Sequence, residues 1–183
     1  MKKTIIDLFE DSVVKYGAKT FLLEKKHRAF EPTTYAETRE QALETGAGLA
    51  AAGIRPGDKV AILSEGCNAW ITSELGVFYA GAVSVPLSVK LEESNDLLFR
   101  MRHAEVRALF VSKYQLSKIR RIRAELPQVE HIIVIGHTPL EAGETAWRQI
   151  GRSSSQSAVR SATTTTRRSP TRRAPRPPQK ASC

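Results

Sequence analysis

The residues Gly53-Ile54-Arg55-Pro56-Gly57-Asp58-Lys59-Val60-Ala61-Ile62-Leu63 carry the strongest structural signal in the chain. Gly53 is a typical helix stop, and Pro56-Gly57-Asp58 has the composition of a turn. The four apolar residues Val60–Leu63 then predict a short buried strand. This succession indicates a chain in which helices and buried strands alternate.

The alternation continues downstream of Leu63. Apolar runs predict further strands at Ala82–Leu87, Ala108–Val111 and His131–Ile135. The predicted helices between them run from Asn68 to Tyr79 with Ile71, Leu75 and Phe78 inward, from about Ser94 with Leu97, Leu98 and Met101, and through Ile119 and Ile122 towards Pro127. Apolar strands separated by single helices predict an α/β fold, with a mostly parallel sheet flanked by helices.

Upstream of Gly53, the sequence predicts two helices joined by a small β-element. Thr4 can cap a helix that ends at Gly17, and two short strands are expected at Phe21–Leu23 and His27–Phe30. Thr34 to Glu37 matches a capping box, and the helix it opens is predicted to bury Leu43, Ala47, Ala50 and Ile54. Ser112 to Gln115 is interpreted as a second capping box.

Composition divides the chain at Ile150. Residues 1–150 are almost balanced in charge, whereas residues 151–183 hold 8 Lys and Arg and no acid, so most of the net charge of +9 lies there. This tail of Ser, Thr, Arg, Pro and Ala cannot bury enough apolar surface to offset its chain entropy, which predicts disorder. No signal peptide or membrane span is recognised, so a soluble cytoplasmic protein is expected.

No active site is visible in the residues. His27, His103, His131 and His137 lack metal-ligand spacing, and Cys67 and Cys183 are too few for a disulfide framework. Cys67 starts a helix, which favours a reactive thiol, although a packed thiol explains it better. Gly46-Ala47-Gly48 falls within a helix and is interpreted as a close-packing site, not a phosphate loop. We therefore predict no catalytic, cofactor-binding or metal residue.

The run Ile119-Arg120-Arg121-Ile122-Arg123 has two interpretations. It could attract anionic lipid or nucleic acid, which would allow peripheral membrane association. A solvated helix face with two core isoleucines explains it as well and is favoured.

Three stretches resemble the N-terminal region of AMP-forming acyl-CoA synthetases. They are Thr33-Thr34-Tyr35-Ala36-Glu37, the stretch from Gly53 to Leu63, and Tyr79-Ala80-Gly81-Ala82-Val83-Ser84-Val85-Pro86-Leu87, in the order and spacing of that superfamily. Ile133–Gly136 sits where the family has a further strand. The likeness covers about residues 4–150, and Phe21-Leu22 and Val85–Ser88 resemble the long-chain fatty acid branch.

The resemblance implies that this chain belongs to a family of ligases, but that the chain alone cannot carry out their reaction. The family activates a fatty acid with ATP and magnesium to an acyl-adenylate, which coenzyme A then displaces. In the family, ATP is held by a loop of the form T-S-G-T-T-G-x-P-K-G. No stretch of this sequence, in its printed reading frame, resembles that loop. The expectation is an N-terminal fragment, inactive by itself, for which fatty acid and coenzyme A are partners of the complete family member only.

The tail is interpreted as that loop read in the wrong frame. From Thr166 on, new codons can be formed by joining the last base of each codon to the first two bases of the next. Read in this shifted frame, the codons permit the sequence Y-A-T-I-T-Y-T-S-G-T-T-A-x-P-K-G-V-M. This hypothesis requires one base lost, or two gained, between about Trp147 and Thr163.

Two alternatives stay open at this stage. The basic tail could make the chain a nucleic-acid-binding module with salt-sensitive affinity, although no specific nucleic acid is expected. The chain could also derive from another adenylate-forming ligase, of the acetate or aryl type, because the acyl-selecting residues lie beyond the break.

Overall fold

The computed structural model describes residues 3–92 and 96–150, so the predictions for the tail and for the start of the helix near Ser94 lie outside the described residues. The helices and strands follow the predicted alternation. They are α1 Ile5–Tyr16, β1 Thr20–Lys26, β2 Ala29–Thr34, α2 Tyr35–Ala51, β3 Lys59–Leu63, α3 Asn68–Tyr79, β4 Val83–Pro86, α4 Leu98–His103, β5 Val106–Ser112, α5 Leu116–Ile122, β6 His131–Ile135 and β7 Glu144–Ala146.

A five-stranded parallel sheet forms the centre of the fold, in the order β4-β3-β5-β6-β7. The chain first crosses from β3 to β4 on one side and then returns to place β5 on the other side of β3. The α/β fold with a parallel sheet is therefore confirmed. The short strand β7 was missed, because its three residues carry no apolar run.

Alternate side chains of β3, β5 and β6 enter two cores. Leu109 and Val111 join the cluster under α4 and α5, here called the α4/α5 cluster. Ala108 and Phe110 join the cluster under α2 and α3, here called the α2/α3 cluster. Because side chains of a strand alternate between faces, both sides of the sheet are buried under helices, as the apolar runs predicted.

The turn before β3 is held by backbone geometry and one carboxylate. Gly53 and Gly57 have φ angles of +90° and +87°, a region that strongly favours glycine. The Asp58 carboxylate accepts the N–H of Arg55 at 2.7 Å and also an N–H of Arg107 at 2.5 Å. Arg107 in turn forms two hydrogen bonds with Glu130, which precedes β6. One cluster thus ties together the amino ends of three strands.

The two predicted capping boxes had different outcomes. At α2, Thr34 Oγ1 accepts the N–H of Glu37 at 3.2 Å, and the Glu37 carboxylate accepts the N–H of Thr34 at 2.8 Å, so this box is confirmed. The second box is wrong: Ser112 ends β5, and α5 starts after Gln115 without a side-chain cap. Because α5 begins at Leu116 and not at Lys113, Ser112 lies three residues before the N-cap position, which Gln115 occupies.

The buried face of α2 also differs from the prediction. Ile54 is buried as predicted, but Leu43, Ala47 and Ala50 are exposed. The residues of α2 that are buried instead are Thr38, Ala42, Thr45, Gly46, Gly48 and Leu49. Small residues fill this face because α2 packs very closely on α3. A Cβ at Gly46 would lie 2.9 Å from the carbonyl oxygen of Gly76, and one at Gly76 would lie 2.7 Å from Thr45 Cβ. The close-packing interpretation of Gly46 and Gly48 is confirmed.

Helix α3 packs on two sides. Leu75 is buried as predicted and Ile71 and Phe78 are half-buried, while Val77 faces the sheet. Leu75 belongs to a third small cluster with Phe9 of α1 and Ala42 of α2. The antiparallel hairpin β1–β2 packs there through Phe21.

Candidate functional site

A cleft of about 920 Å³ opens at the carboxyl edge of the parallel sheet. Residues that follow β3, β5, β6 and β7 line it, together with the first turn of α3, one face of α2 and the hairpin β1–β2. Ligands of open α/β sheets bind at this edge, and best where the chain reverses its direction across the sheet. That reversal lies between β3 and β5, so the cleft is the candidate site.

The strand register arranges one row of residues beneath the cleft. Leu63 lies opposite Val111, Ser112 opposite Ile135, and Val134 opposite Ala146. One step further along each strand, the row is therefore Ser64, Ser112, Ile135 and Trp147, all of which line the cleft. Ile135 belongs to the α2/α3 cluster and Trp147 packs against it, so the row closes that core at its carboxyl end.

Glu65 is an acid of the cleft lining that a neighbouring side chain binds. Its carboxylate accepts an N–H of Gln115 at 2.7 Å. Burial raises the pKa of this carboxyl, but the nearby side chains of Ser112 and Gln115 lower it by more, so the net shift is downward. Glu65 is therefore ionised at neutral pH and is a poor general base.

Three buried polar atoms around the row have no hydrogen-bond partner among the described residues: Ser112 Oγ, Gln115 Oε1 and Trp147 Nε1. Ser112 lies near the Glu65 carboxylate without reaching hydrogen-bond geometry. Such atoms are uncommon in a finished interior and indicate a polar surface that a water, a ligand or another segment completes. Nothing in this arrangement pairs a nucleophile with a base.

The predicted polar candidates are dispersed across the fold. His27 occupies the β1–β2 turn with a φ of +54°, and His103 stacks on Phe99 at the end of α4. His131 starts β6, and His137 lies at the rim of the cleft. Within residues 3–92 and 96–150, no group of three His, Cys, Asp or Glu side chains could hold a metal ion.

Cys67 also lines the cleft, where it precedes the first residue of α3. Its sulfur lies 4.0 Å from Ser64 Oγ, and its side chain packs against the α2/α3 cluster. The structure thus favours the packed thiol over the reactive one.

Some basic side chains of the run at residues 119–123 bind other parts of the protein. Ile119 and Ile122 are buried, as the solvated-face interpretation requires. Arg120 binds the Glu144 carboxylate through two hydrogen bonds, of 2.9 and 2.8 Å, and Arg123 donates to the carbonyl of Leu126. These internal contacts account for part of the run without lipid or nucleic acid.

The stretches that carry the family resemblance have mainly structural roles, although Thr33 of the first also lines the cleft. The first caps α2, and the second forms the turn at the amino edge of the sheet. In the third, Gly81 has a φ of +70° and its carbonyl accepts the N–H of Gly57 at 2.9 Å. Tyr79 donates to Glu10, which also binds Arg39, so these side chains join α1, α2 and α3.

Comparison with known proteins gives the same assignment. The family model described as AMP-binding enzyme matches residues 9–181. This chain belongs to the AMP-binding enzyme family. Among solved structures, the anthranilate CoA ligase AuaEII in complex with anthranoyl-AMP superposes with a TM-score of 0.74 at 28% identity. The match covers 81% of this chain and 27% of that one.

Two of the curated relatives of this family member are acid–CoA ligases by name. A long-chain-fatty-acid–CoA ligase of Thermus thermophilus is 28% identical over 70% of this chain and 24% of its own length. A crotonobetaine/carnitine–CoA ligase of Salmonella paratyphi A is 29% identical over 78% of this chain and 28% of its own length. The chain therefore spans less than a third of these relatives.

The sequence predicted that no segment of the chain spans a membrane. None of the helices within residues 3–92 and 96–150 is long and apolar enough to cross a bilayer.

Proposed function

We propose that this family member is the N-terminal segment of an enzyme that activates a carboxylic acid with ATP and transfers the acyl group to coenzyme A. The match to the AMP-binding family carries this proposal. ATP, magnesium and coenzyme A would then be ligands of the complete enzyme. Its cytoplasmic location and any peripheral membrane association stay predictions.

We further propose that the chain has no ligase activity by itself. The residues that identify the family serve capping, turn and packing roles, and no stretch of the sequence as it stands matches the glycine-rich loop with which the family holds ATP. The purified chain, assayed for exchange of pyrophosphate into ATP with a fatty acid, should give only the background of a blank. Measurable exchange that depends on the acid would overturn this proposal.

For the complete enzyme, a fatty acid is the proposed substrate. The Thermus thermophilus relative named for long-chain fatty acids supports it, while the anthranilate ligase supports an aryl acid as the rival. The test is acyl-CoA formation by the product of the gene with its reading frame corrected, offered hexadecanoate, acetate and anthranilate separately. Preference for acetate or anthranilate would replace this assignment.

We also propose that the reading frame changes after Ile150. Ile150 is only 6% exposed within the α2/α3 cluster, and a Cβ at Gly48 would lie 2.2 Å from its carbonyl oxygen. This fit between two distant positions supports the original frame up to Ile150, so we propose that the change lies between residues 151 and 163. Coding DNA whose second frame lacks the glycine-rich loop would contradict the proposal.

A further inference from the structure

The side chain of Arg120 reaches out of α5 to a single neighbouring segment. Two of its nitrogens bind the Glu144 carboxylate, one also donates to the carbonyl of Pro139 at 2.9 Å, and the third lies 3.2 Å from Glu141. One guanidinium therefore engages two residues of the connection between β6 and β7, Pro139 and Glu141, and the first residue of β7, Glu144. Such a planar fork suits a carboxylate better than the point charge of a lysine.

Glu144 is nearly buried where it receives Arg120. Its side chain is 4% exposed, and its carboxylate also accepts the N–H of Glu141 at 2.8 Å. The Arg120 hydrogen bonds are the largest cause of the lowered pKa of Glu144, and burial opposes them. An ionised carboxylate this far from solvent requires its partner, because its own desolvation is otherwise uncompensated.

The rest of the segment has few attachments before its last residues. Strand β7 pairs with β6 over only three residues, and most of residues 136–143 are exposed. Beyond β7, Trp147 and Ile150 pack on the α2/α3 cluster. Segments with short ladders and few buried contacts open at a lower free energy than the core strands.

We propose that residues 137–146 form a strap that opens as one unit, while Trp147 and Ile150 stay packed on the α2/α3 cluster, and that Arg120 is its latch. Closed, the strap covers the edge of β6 and places Ala146 in the wall of the cleft. Open, it uncovers that edge and enlarges the cleft at the end where Ile135 lies. Arg120 is in this view a positioning residue, which shapes the site through the strap and touches no ligand.

The test is hydrogen exchange of the full chain, read by mass spectrometry in peptides from the strap and from β5. Arg120→Gln should speed exchange in the strap at least about tenfold, because the lost bonds to a buried charge are worth more than 1.4 kcal/mol. Exchange in β5 should stay at the wild-type rate. Arg102→Gln is the matched control, since Arg102 forms an exposed pair with Glu125 and should leave the strap unchanged.

Two results would overturn the proposal. Exchange in the strap that stays at the wild-type rate would show that Arg120 is no latch, and an equal acceleration in β5 would show global unfolding. If Arg120→Gln does not fold, Arg120→Lys keeps the charge and loses the fork. It should then speed exchange in the strap selectively, by a smaller factor, and unchanged or uniform acceleration would again contradict the latch.

Discussion

At the scale of single residues, Asp58 and Arg107 hold the amino edge of the sheet. Asp58 accepts from the Arg55 backbone and from Arg107, and Arg107 reaches Glu130 with two further bonds. The Arg55 N–H is the largest cause of the lowered pKa of Asp58, and Arg107 adds to it. Both partners stabilise the ionised form of Asp58, so the effect of replacing Asp58 should depend on pH.

The first prediction concerns that pH dependence. A lowered pKa stabilises the fold above the ordinary aspartate range, and the gain is lost as the pH falls through the folded-state value. Asp58→Asn should therefore lower the melting temperature at pH 7, and the difference from wild type should shrink at about pH 3. Glu40→Gln, an exposed carboxyl outside the cluster, is the control. A difference that is constant with pH would contradict the charge-based account.

A second prediction at this scale concerns Gly76. An added Cβ would lie 2.7 Å from both Cβ and Cγ2 of the buried Thr45. Overpacking costs about 1–3 kcal/mol, and the better helix propensity of alanine returns up to about 1 kcal/mol. Gly76→Ala should therefore destabilise by about 1–2 kcal/mol, measured from urea unfolding. Gly66→Ala, which meets nothing within 4 Å, should change stability by less than about 0.5 kcal/mol.

At the scale of elements, the two candidate capping boxes show what local sequence can and cannot predict. Both stretches match the same pattern, yet only Thr34 caps its helix. The difference lies in where each helix begins: α2 starts directly after Thr34, whereas α5 starts only at Leu116, three residues later than a cap at Ser112 requires. Local patterns find such a cap, but they do not determine the residue at which the helix starts.

The third prediction separates these two hydroxyls. Thr34→Ala should cost about 1 kcal/mol, since it leaves the N–H of Glu37 without its acceptor, and Thr34→Ser should restore most of the loss. Ser112→Ala should be neutral or stabilising, because it removes a buried hydroxyl that has no hydrogen-bond partner among the described residues. Equal losses for the two alanine variants, in urea unfolding, would contradict the assignment of the caps.

For other elements, the sequence alone was sufficient to predict the structure in some cases and insufficient in others. The strands β3, β5 and β6 were predicted because buried strands of a parallel sheet consist of apolar runs. The face of α2 was assigned wrongly, because its closest contacts are made by Gly46 and Thr45, which hydrophobic periodicity does not score. The cleft itself was not predicted, since it depends on the register that aligns Ser64, Ser112, Ile135 and Trp147.

At the scale of the whole molecule, the described residues supply their own cores. The two clusters on the faces of the sheet draw on every strand from β3 to β6 and end with Ile150. Residues 151–183 contribute most of the net charge and almost no aliphatic side chains. Folding stability should therefore reside in residues up to Ile150.

The fourth prediction tests this division by truncation. A chain that ends at Ser155 should unfold at the same urea concentration as the full chain. A chain that ends at Ala146 should lose at least about 2 kcal/mol, because it removes the buried Ile150 and the packed Trp147. A large loss already at Ser155 would show that the tail stabilises the fold.

The Arg107 cluster has a practical consequence for protein engineering. Its ion pairs connect the amino ends of the strands, whereas the loops of the candidate site follow the carboxyl ends. Replacing the loops at residues 64–67 or 113–115 would therefore leave these ion pairs intact. The domain could therefore serve as a scaffold for engineering, in which the loops at the carboxyl ends of the strands are replaced while the ion pairs at the amino ends keep the chain folded.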